Sequence, residues 1–475
     1  MSESQADARP TIVPPPVDPR DSSIHDQEDR LKPAFVERVL DAVEAGDDET
    51  ARALVEPLHP ADVADLIELA RADERDGLVA ALAGIVDADV IAELNDHVRE
   101  LLIDEMEPQQ VADLAGQLDT DDAVAILEDL EDDEQRAVLR AMEPDDRAAI
   151  EEALSYPQES AGRLMQRDLI AVPDHWTVGR VIDYLRSGEE LSTDFWEVFV
   201  VSPTHHPIGT CRLSSILRSP RSVRVADILV EDQTLIPVGM DQEEVALRFQ
   251  KYALISAAVV DPSGRLVGMI TVDDIVHIIQ EEAGEDVLLL SGAGDGDINE
   301  PILLTVRTRL TWLVINLGTA MLAASVVGLF QGEISRFALL AVLMPIVSGM
   351  GGNAGTQTLA VVVRALATNQ LASSNTQRMI GRELTIALAN GCSLGLLIGT
   401  GAWLLFDNPM LGLVIGAAMV INNIVAGLAG ILVPVGLDRA RIDPAVSSAV
   451  FVTMATDVMG FLSFLGLAQL AGLSG

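Results

Sequence analysis

The sequence predicts a multidomain protein: an all-α cytosolic domain, a tandem α/β pair, a connecting helix and an α-helical membrane domain with five transmembrane helices. Three observations predict it: charge nearly vanishes beyond one point in the chain, an α/β pattern recurs at a spacing of 59 residues, and five long stretches lack charge. At 475 residues the chain exceeds one ordinary core. From Arg307 to the end there are eight Arg, no Lys and six acids; against totals of 31 basic and 73 acidic residues, that leaves 23 and 67 for residues 1–306, a net charge near −44. Such a surface repels nucleic acid and gathers divalent counter-ions wherever carboxylates are forced together. Acidity with only two lysines, Lys32 and Lys251, also fits adaptation to high salt.

The elements follow in chain order. Residues 1–34, rich in Pro and acids and without an apolar segment, predict a disordered tail rather than a signal peptide, which leaves the first half in the cytosol. Residues 35–155 read as short stacked helices, with similar starts at His59-Pro60, Glu107-Pro108 and Glu143-Pro144. Val111, Leu114, Leu118, Val124, Leu127 and Leu130 recur at three and four, so they supply the core face.

Residues 160–223 and 224–283 read as two copies of one α/β unit. Pro203 and Pro262, Gly209 and Gly268, and Ile216 and Ile275 are each 59 apart. Each copy has a β-rich run, Phe199–Val201 or Ala258–Val260, then a turn, a second strand after the glycine, and a helix start. Next, residues 273–306 contain a connecting helix whose acids, Asp273, Asp274, Glu281, Glu282, Glu285 and Asp286, fall on nearby turns. The lone Cys211 and Cys392 argue against zinc or redox roles, and the absence of a phosphate-binding loop or nucleophile–base pairing argues against a pump or an enzyme.

Residues 307–475 hold five uncharged stretches, each long enough for a hydrocarbon core of about 30 Å: Leu310–Phe330, Phe337–Val363, Leu384–Phe406, Met410–Leu437 and Ala445–Leu473. Seven of the eight arginines near their ends fall on one side, which the positive-inside rule makes cytosolic. The expectation is a multi-pass cell-membrane protein with its amino terminus inside and its carboxyl terminus outside. Asp457 lies near mid-membrane without a basic partner in sequence reach, where an ionised carboxylate costs about 2.5–3.5 kcal/mol or more. A pore cation compensates it best; protonation, or a hydrogen bond to Asn422 or Asn423, is the alternative. The run Met344–Gln357 carries a proline and four glycines and predicts broken backbone lining a cavity, with Asn353 and Gln357 as neutral oxygen donors; a small-residue packing face is the alternative.

Pro345 with Gly351-Gly-Asn-Ala-Gly-Thr-Gln357, Val361-Val-Val-Arg364, Asp443-Pro-Ala445 and Thr453-Met-Ala-Thr-Asp457-Val-Met-Gly460 resemble the MgtE family of magnesium transporters. The resemblance implies a homodimer in the lipid bilayer, with Asp457 as the central pore ligand for Mg²⁺ and channel-like permeation driven by the membrane potential. It implies an acidic helical superhelix at 35–155, joined through Tyr156–Met165 to the α/β pair. It further implies that the connecting helix plugs the pore when intracellular Mg²⁺ bridges its acids to sensor acids such as Asp121 and Asp122. Where the family often breaks the last span with a small residue and proline, this chain has Ala449-Val450. The α/β copies resemble cystathionine β-synthase (CBS) domains, which commonly bind adenine nucleotides. Only the second keeps a signature, Gly268–Asp274, so Thr271 would meet phosphate and Asp274 the ribose of a regulatory ATP, unless Asp274 serves as a helix cap or metal ligand. Two other classes remain: a membrane-anchored nucleotide sensor, and a carrier of Co²⁺, Mn²⁺ or another divalent ion.

Overall fold

The computed structural model describes residues 24–473 except 29, 129, 188–194, 292–301, 372–374 and 447. The chain divides into two compact units, one of residues 1–242 and 255–271, the other of residues 243–254 and 272–475.

In the first unit, ten short helices precede the sheets among the described residues: α1 Pro33–Glu44, α2 Asp48–Val55, α3 Pro60–Leu69, α4 Ala72–Ala81, α5 Ala88–Ala92, α6 Asp96–Asp104, α7 Pro108–Ala115, α8 Thr120–Glu128, α9 Asp132–Ala141 and α10 Pro144–Leu154. The expected starts hold. Pro60, Pro108 and Pro144 each occupy a first helical position, where the absent N–H costs nothing. His59 caps α3, its ring accepting from Ala61 N at 3.2 Å, and Gln110 Oε1 accepts from Glu107 N at 2.9 Å at the start of α7. Val111, Val124 and Leu127 are buried in the shared core, with Leu114, Leu118 and Leu130 packed against it.

The expected tail, residues 1–34, lies outside the described residues up to 23. From there the chain folds onto the helices. Ile24 packs on the core, and His25 Nε2 lies 3.1 Å from Asp62 Oδ1. The neighbourhood is crowded with acid. Desolvation first, then the carboxylates of Glu68, Asp62 and Glu93, raise the Asp65 carboxyl above its ordinary value, against the pull of His25. With a raised folded value, the unfolded chain ionises first, so stability falls as pH rises from 3.8 through the folded value and the penalty persists above it. Asp65→Asn is therefore expected to slow hydrogen exchange in α3 at neutral pH by a few fold, with the difference vanishing near about pH 3.

The two α/β copies share one topology. β1 Ala171–Pro173 lies parallel to β2 Glu197–Val201, which pairs antiparallel with β3 Pro207–Arg212; β4 Leu235–Pro237, β5 Ser256–Val260 and β6 Leu266–Thr271 repeat this. Even the register irregularities match, at Val200/Val201 and Val259/Val260. α11 Val178–Leu185 and α12 Leu213–Arg218 belong to the first copy; α13 Gln242–Tyr252 follows β4 in the chain and, beyond Gln242, falls in the second unit.

Gly209 and Gly268 do not precede the second strands but lie inside them. A methyl on Gly209 would come 2.5 Å from Val230 O, and one on Gly268 would come 2.9 Å from Gln166 O. The space is needed because the copies complete each other: the segment leading into the second copy bridges the first sheet (Thr210 with Val230), and the segment leading into the first bridges the second (Gln166 with Met269).

In the second unit, α14 Val272–Ser291 is followed by α15 Ile302–Leu329, α16 Gln331–Arg336, α17 Leu339–Ala367, α18 Thr376–Phe406, α19 Pro409–Arg439 and α20 Ser448–Leu470. All but α16 and α14 are long and apolar enough to cross a membrane, five among the described residues, as expected. Their bounds differ from the uncharged stretches. α15 takes up residues 302–306 of the expected connecting segment, whose residues 292–301 lie outside the described residues. α18 reaches back to Thr376. α20 starts only at Ser448, because Asp443 and Pro444 form a turn in which Asp443 Oδ1 accepts from Ala445 N at 2.7 Å.

α18 and α19 form the tightest pair. Asp407, left-handed at φ 49°, ends α18, and the Asn408 side chain caps α19 by accepting from Leu411 N at 3.0 Å. Gly395 and Gly399 face Gly416 and Gly412 so closely that a methyl on either would lie 2.6 Å from the opposing carbonyl.

Candidate functional site

The site is built where α17, α19 and α20 cross. Each helix brings a buried stripe of every fourth residue to the crossing: Val347, Gly351, Gly355 and Leu359 on α17; Asn422, Ala426 and Gly430 on α19, which is also buried along the next stripe; Val452, Thr456, Gly460 and Phe464 on α20. Asn422 is fully buried at their centre. Its Nδ2 donates to Val347 O at 2.8 Å, while its Oδ1 has no hydrogen-bond partner among the described residues. A methyl on Gly351 would come 2.0 Å from Asn422 Nδ2, and one on Gly460 would come 2.8 Å from the same atom.

This arrangement corrects the expectation of broken backbone in Met344–Gln357. α17 is continuous through the run. Pro345 sits in the second turn, so its missing N–H deprives only the Ala341 carbonyl of a helical partner. Two of the run's four glycines serve close approach instead: beyond Gly351, a methyl on Gly355 would lie 2.6 Å from Val452 Cγ1, and one on Gly430 of α19 would lie 2.9 Å from Gly355 O, whereas Gly349 and Gly352 have nothing within 4 Å of theirs.

Asp457 is the tenth residue of α20, partly exposed beside the buried Thr456. Its Oδ1 accepts a hydrogen bond from Ser348 Oγ, across from α17. Neither asparagine bonds it: Asn422 holds Val347 O, and Asn423 Nδ2 donates to Met419 O at 2.9 Å. Among the described residues no Arg or Lys forms an ion pair with Asp457. The carboxylate thus keeps one oxygen for a ligand at mid-helix.

Asn353 and Gln357 are exposed on α17. At about 100° per residue they point roughly 140° and 180° from Ser348, so one chain does not bring them to Asp457. Ser348 was the residue missed. It stands in the glycine run without marking, since a helical serine ordinarily bonds its own backbone. Glu383 was missed too, lying one residue before the uncharged stretch. It is 6% exposed on α18 and accepts from Thr358 Oγ1 at 3.5 Å. The signal was its place on a stripe with Ala387, Gly391, Gly395 and Gly399, every fourth residue.

The remaining candidates lie outside the membrane helices. Asp121 and Asp122 stand in the first turn of α8, and Asp273 and Asp274 in that of α14, where carboxylates meet unpaired backbone N–H groups. Asp274, Glu281 and Glu285, spaced seven and four, share one stripe of α14, with Glu282 one position round; the Asp286 side chain lies outside the described residues. No three His, Cys, Asp or Glu gather around a single point among the described residues. Thr271 is buried at the end of β6. At its other end α14 is apolar: Leu289 and Leu290 pack on a cluster of Leu359, Val363, Ala445 and Val452.

Comparison with known proteins agrees with this layout. Residues 344–467 match the family model for MgtE, a divalent cation transporter, residues 58–159 that for the MgtE intracellular N domain, and residues 225–281 that for the CBS domain. The chain is 34% identical over 322 residues to a magnesium transporter MgtE of Enterococcus faecalis, covering 67% of this chain and 71% of that protein. It is 27% identical over 432 residues to the one of Bacillus subtilis, covering 91% and 96%. Among solved structures, the cytosolic domain of the Mg²⁺ channel MgtE in complex with ATP aligns with a TM-score of 0.48 at 26% identity, covering 51% of this chain and 99% of that one.

Proposed function

The chain belongs to the MgtE family of magnesium transporters, and on that premise we propose that it lets Mg²⁺ enter the cell passively, down the membrane potential, through a pore centred on Asp457. The observation that carries this reading is one carboxylate at the middle of an apolar helix, with no basic partner among the described residues and one oxygen left uncovered. A membrane-buried acid so placed is stabilised by a cation. The family is one of transporters, and no residue here is assigned to catalysis.

Two copies are taken to form the pore, with Asn353 and Gln357 as weaker neutral donors on the exposed side of α17. The amino terminus and the acidic domains face the cytosol and the carboxyl terminus faces outside, following the arginine distribution.

Closure is by intracellular Mg²⁺. Carboxylates crowded together repel one another, and a divalent ion turns that repulsion into attraction, favouring whichever arrangement gathers them. Asp273, Asp274, Glu281, Glu282, Glu285 and Asp286 on α14, with Asp121 and Asp122 on α8, are the assigned acids. The packing of Leu289 and Leu290 against the ends of α17 and α20 supports α14 as the element that transmits closure to the pore. ATP is taken as a regulatory ligand, with Thr271 at phosphate and Asp274 at ribose.

The test is Mg²⁺ influx into liposomes carrying the purified protein, under an imposed potassium diffusion potential and no other gradient. Influx that rises with inside-negative potential, and that raised internal Mg²⁺ suppresses, is the expected result; no influx at low internal Mg²⁺ would favour a coupled carrier or a sensor. Neutralising Asp273, Asp274, Glu281, Glu282, Glu285 and Asp286 together to Asn or Gln is expected to shift the inhibiting concentration upward by about tenfold or more. Unchanged inhibition would remove α14 from the closure mechanism.

A further inference from the structure

We propose that Ser348 sets the ion preference of the pore carboxylate, by covering one of its two oxygens so that Asp457 offers a single acceptor; this rests on Asp457 being the pore residue. Ser348 breaks a habit of its neighbours. Thr311, Ser325, Thr385 and Ser393, on the membrane helices, each donate to a carbonyl four residues back in their own helix. Ser348 instead reaches from α17 to Asp457 Oδ1 on α20.

The hydroxyl is also held in place. Its neighbour Val347 is fully buried and has its carbonyl bound by Asn422 Nδ2 at 2.8 Å, and Asn422 is wedged between Gly351 and Gly460. No other hydrogen bond to the Asp457 carboxylate occurs among the described residues. One oxygen is therefore engaged by a rigidly placed donor and the other is open.

The two common divalent ions read that arrangement differently. Ca²⁺ takes 6–8 oxygens and often accepts a carboxylate through both, whereas Mg²⁺ keeps several waters and needs only one oxygen or a water-mediated contact. A carboxylate with one oxygen already bonded loses bidentate binding before it loses the Mg²⁺ mode. Ser348 thus penalises Ca²⁺ more than Mg²⁺ without touching either ion.

The experiment measures the external Ca²⁺ concentration that halves Mg²⁺ influx into liposomes. Ser348→Ala is expected to lower it by about tenfold, the worth of one hydrogen bond to a charged acceptor, while Ser348→Thr, which keeps the hydroxyl, holds the native value. An unchanged Ca²⁺ sensitivity in Ser348→Ala overturns the proposal. Should that variant carry no flux, Ser348→Cys replaces it: the thiol is a weaker donor, so Ca²⁺ sensitivity must rise, and a native value overturns the proposal equally. Asp457→Asn separates the two claims. Native flux in that variant sinks the pore reading itself, whereas lost flux beside an unchanged Ser348→Ala sinks only the role of Ser348.

Discussion

Asp457→Asn is expected to reduce Mg²⁺ influx by at least about a hundredfold while leaving the protein folded. A divalent ion about 5 Å from a carboxylate gains roughly 7 kcal/mol at an effective dielectric of about 20. The amide forfeits nearly all of it. Even if desolvation of the ion cancels half, what remains exceeds two factors of ten. The fold survives because Asn has the same shape and its carbonyl oxygen still accepts from Ser348. Removing a charge from mid-membrane also relieves a cost of about 2.5 kcal/mol or more. The variant should therefore elute like the native protein and melt no lower, and influx within threefold of native would rule Asp457 out as the permeation site.

Gly351→Ala tests packing rather than charge, and its effect is on folding. The added methyl would sit 2.0 Å from Asn422 Nδ2, and Asn422 cannot yield, being fully buried, tied to Val347 O and backed by Gly460. α17 must then shift off α19, at a cost of about 3 kcal/mol, typical of severe overpacking. The protein in detergent should melt several degrees lower, with influx lost. Asn422→Ala supplies the control, since it vacates the space: the double variant should recover at least about 1 kcal/mol relative to the sum of the single changes. Strict additivity would mean that the contact does not constrain α17.

The same contact marks the limit of what the sequence makes legible. The charge boundary near residue 306, the five spans and the doubled α/β pattern could all be read because solvent and strand periodicity act on contiguous residues. The run Gly351–Gln357 could not be resolved in that way. Glycines four apart look the same whether the backbone breaks around a cavity or two helices press together, and what decides is Asn422, about seventy positions onward. Asp457 was visible because a mid-membrane charge is costly wherever it occurs. Ser348 was not, because its significance lies in a partner 109 residues away. Asn353 and Gln357 carry suitable oxygens, but helical phase turns them from Asp457 within one chain. Glu383 hid behind Arg378 and Arg382, which made its surroundings resemble an aqueous loop.

The glycine seam between α18 and α19 bears on how the pore can move. Where side chains separate two helices, rotamer changes let one slide past the other; here backbone meets backbone, and there is no compressible layer between them. With a tight αL turn joining their ends, the pair should travel as a stiff lever. Any opening motion that reaches Asn422 on α19 then carries Glu383 on α18 with it, and the give must come from the contacts of α20, where Val452, Thr456 and Phe464 supply side chains able to reshuffle.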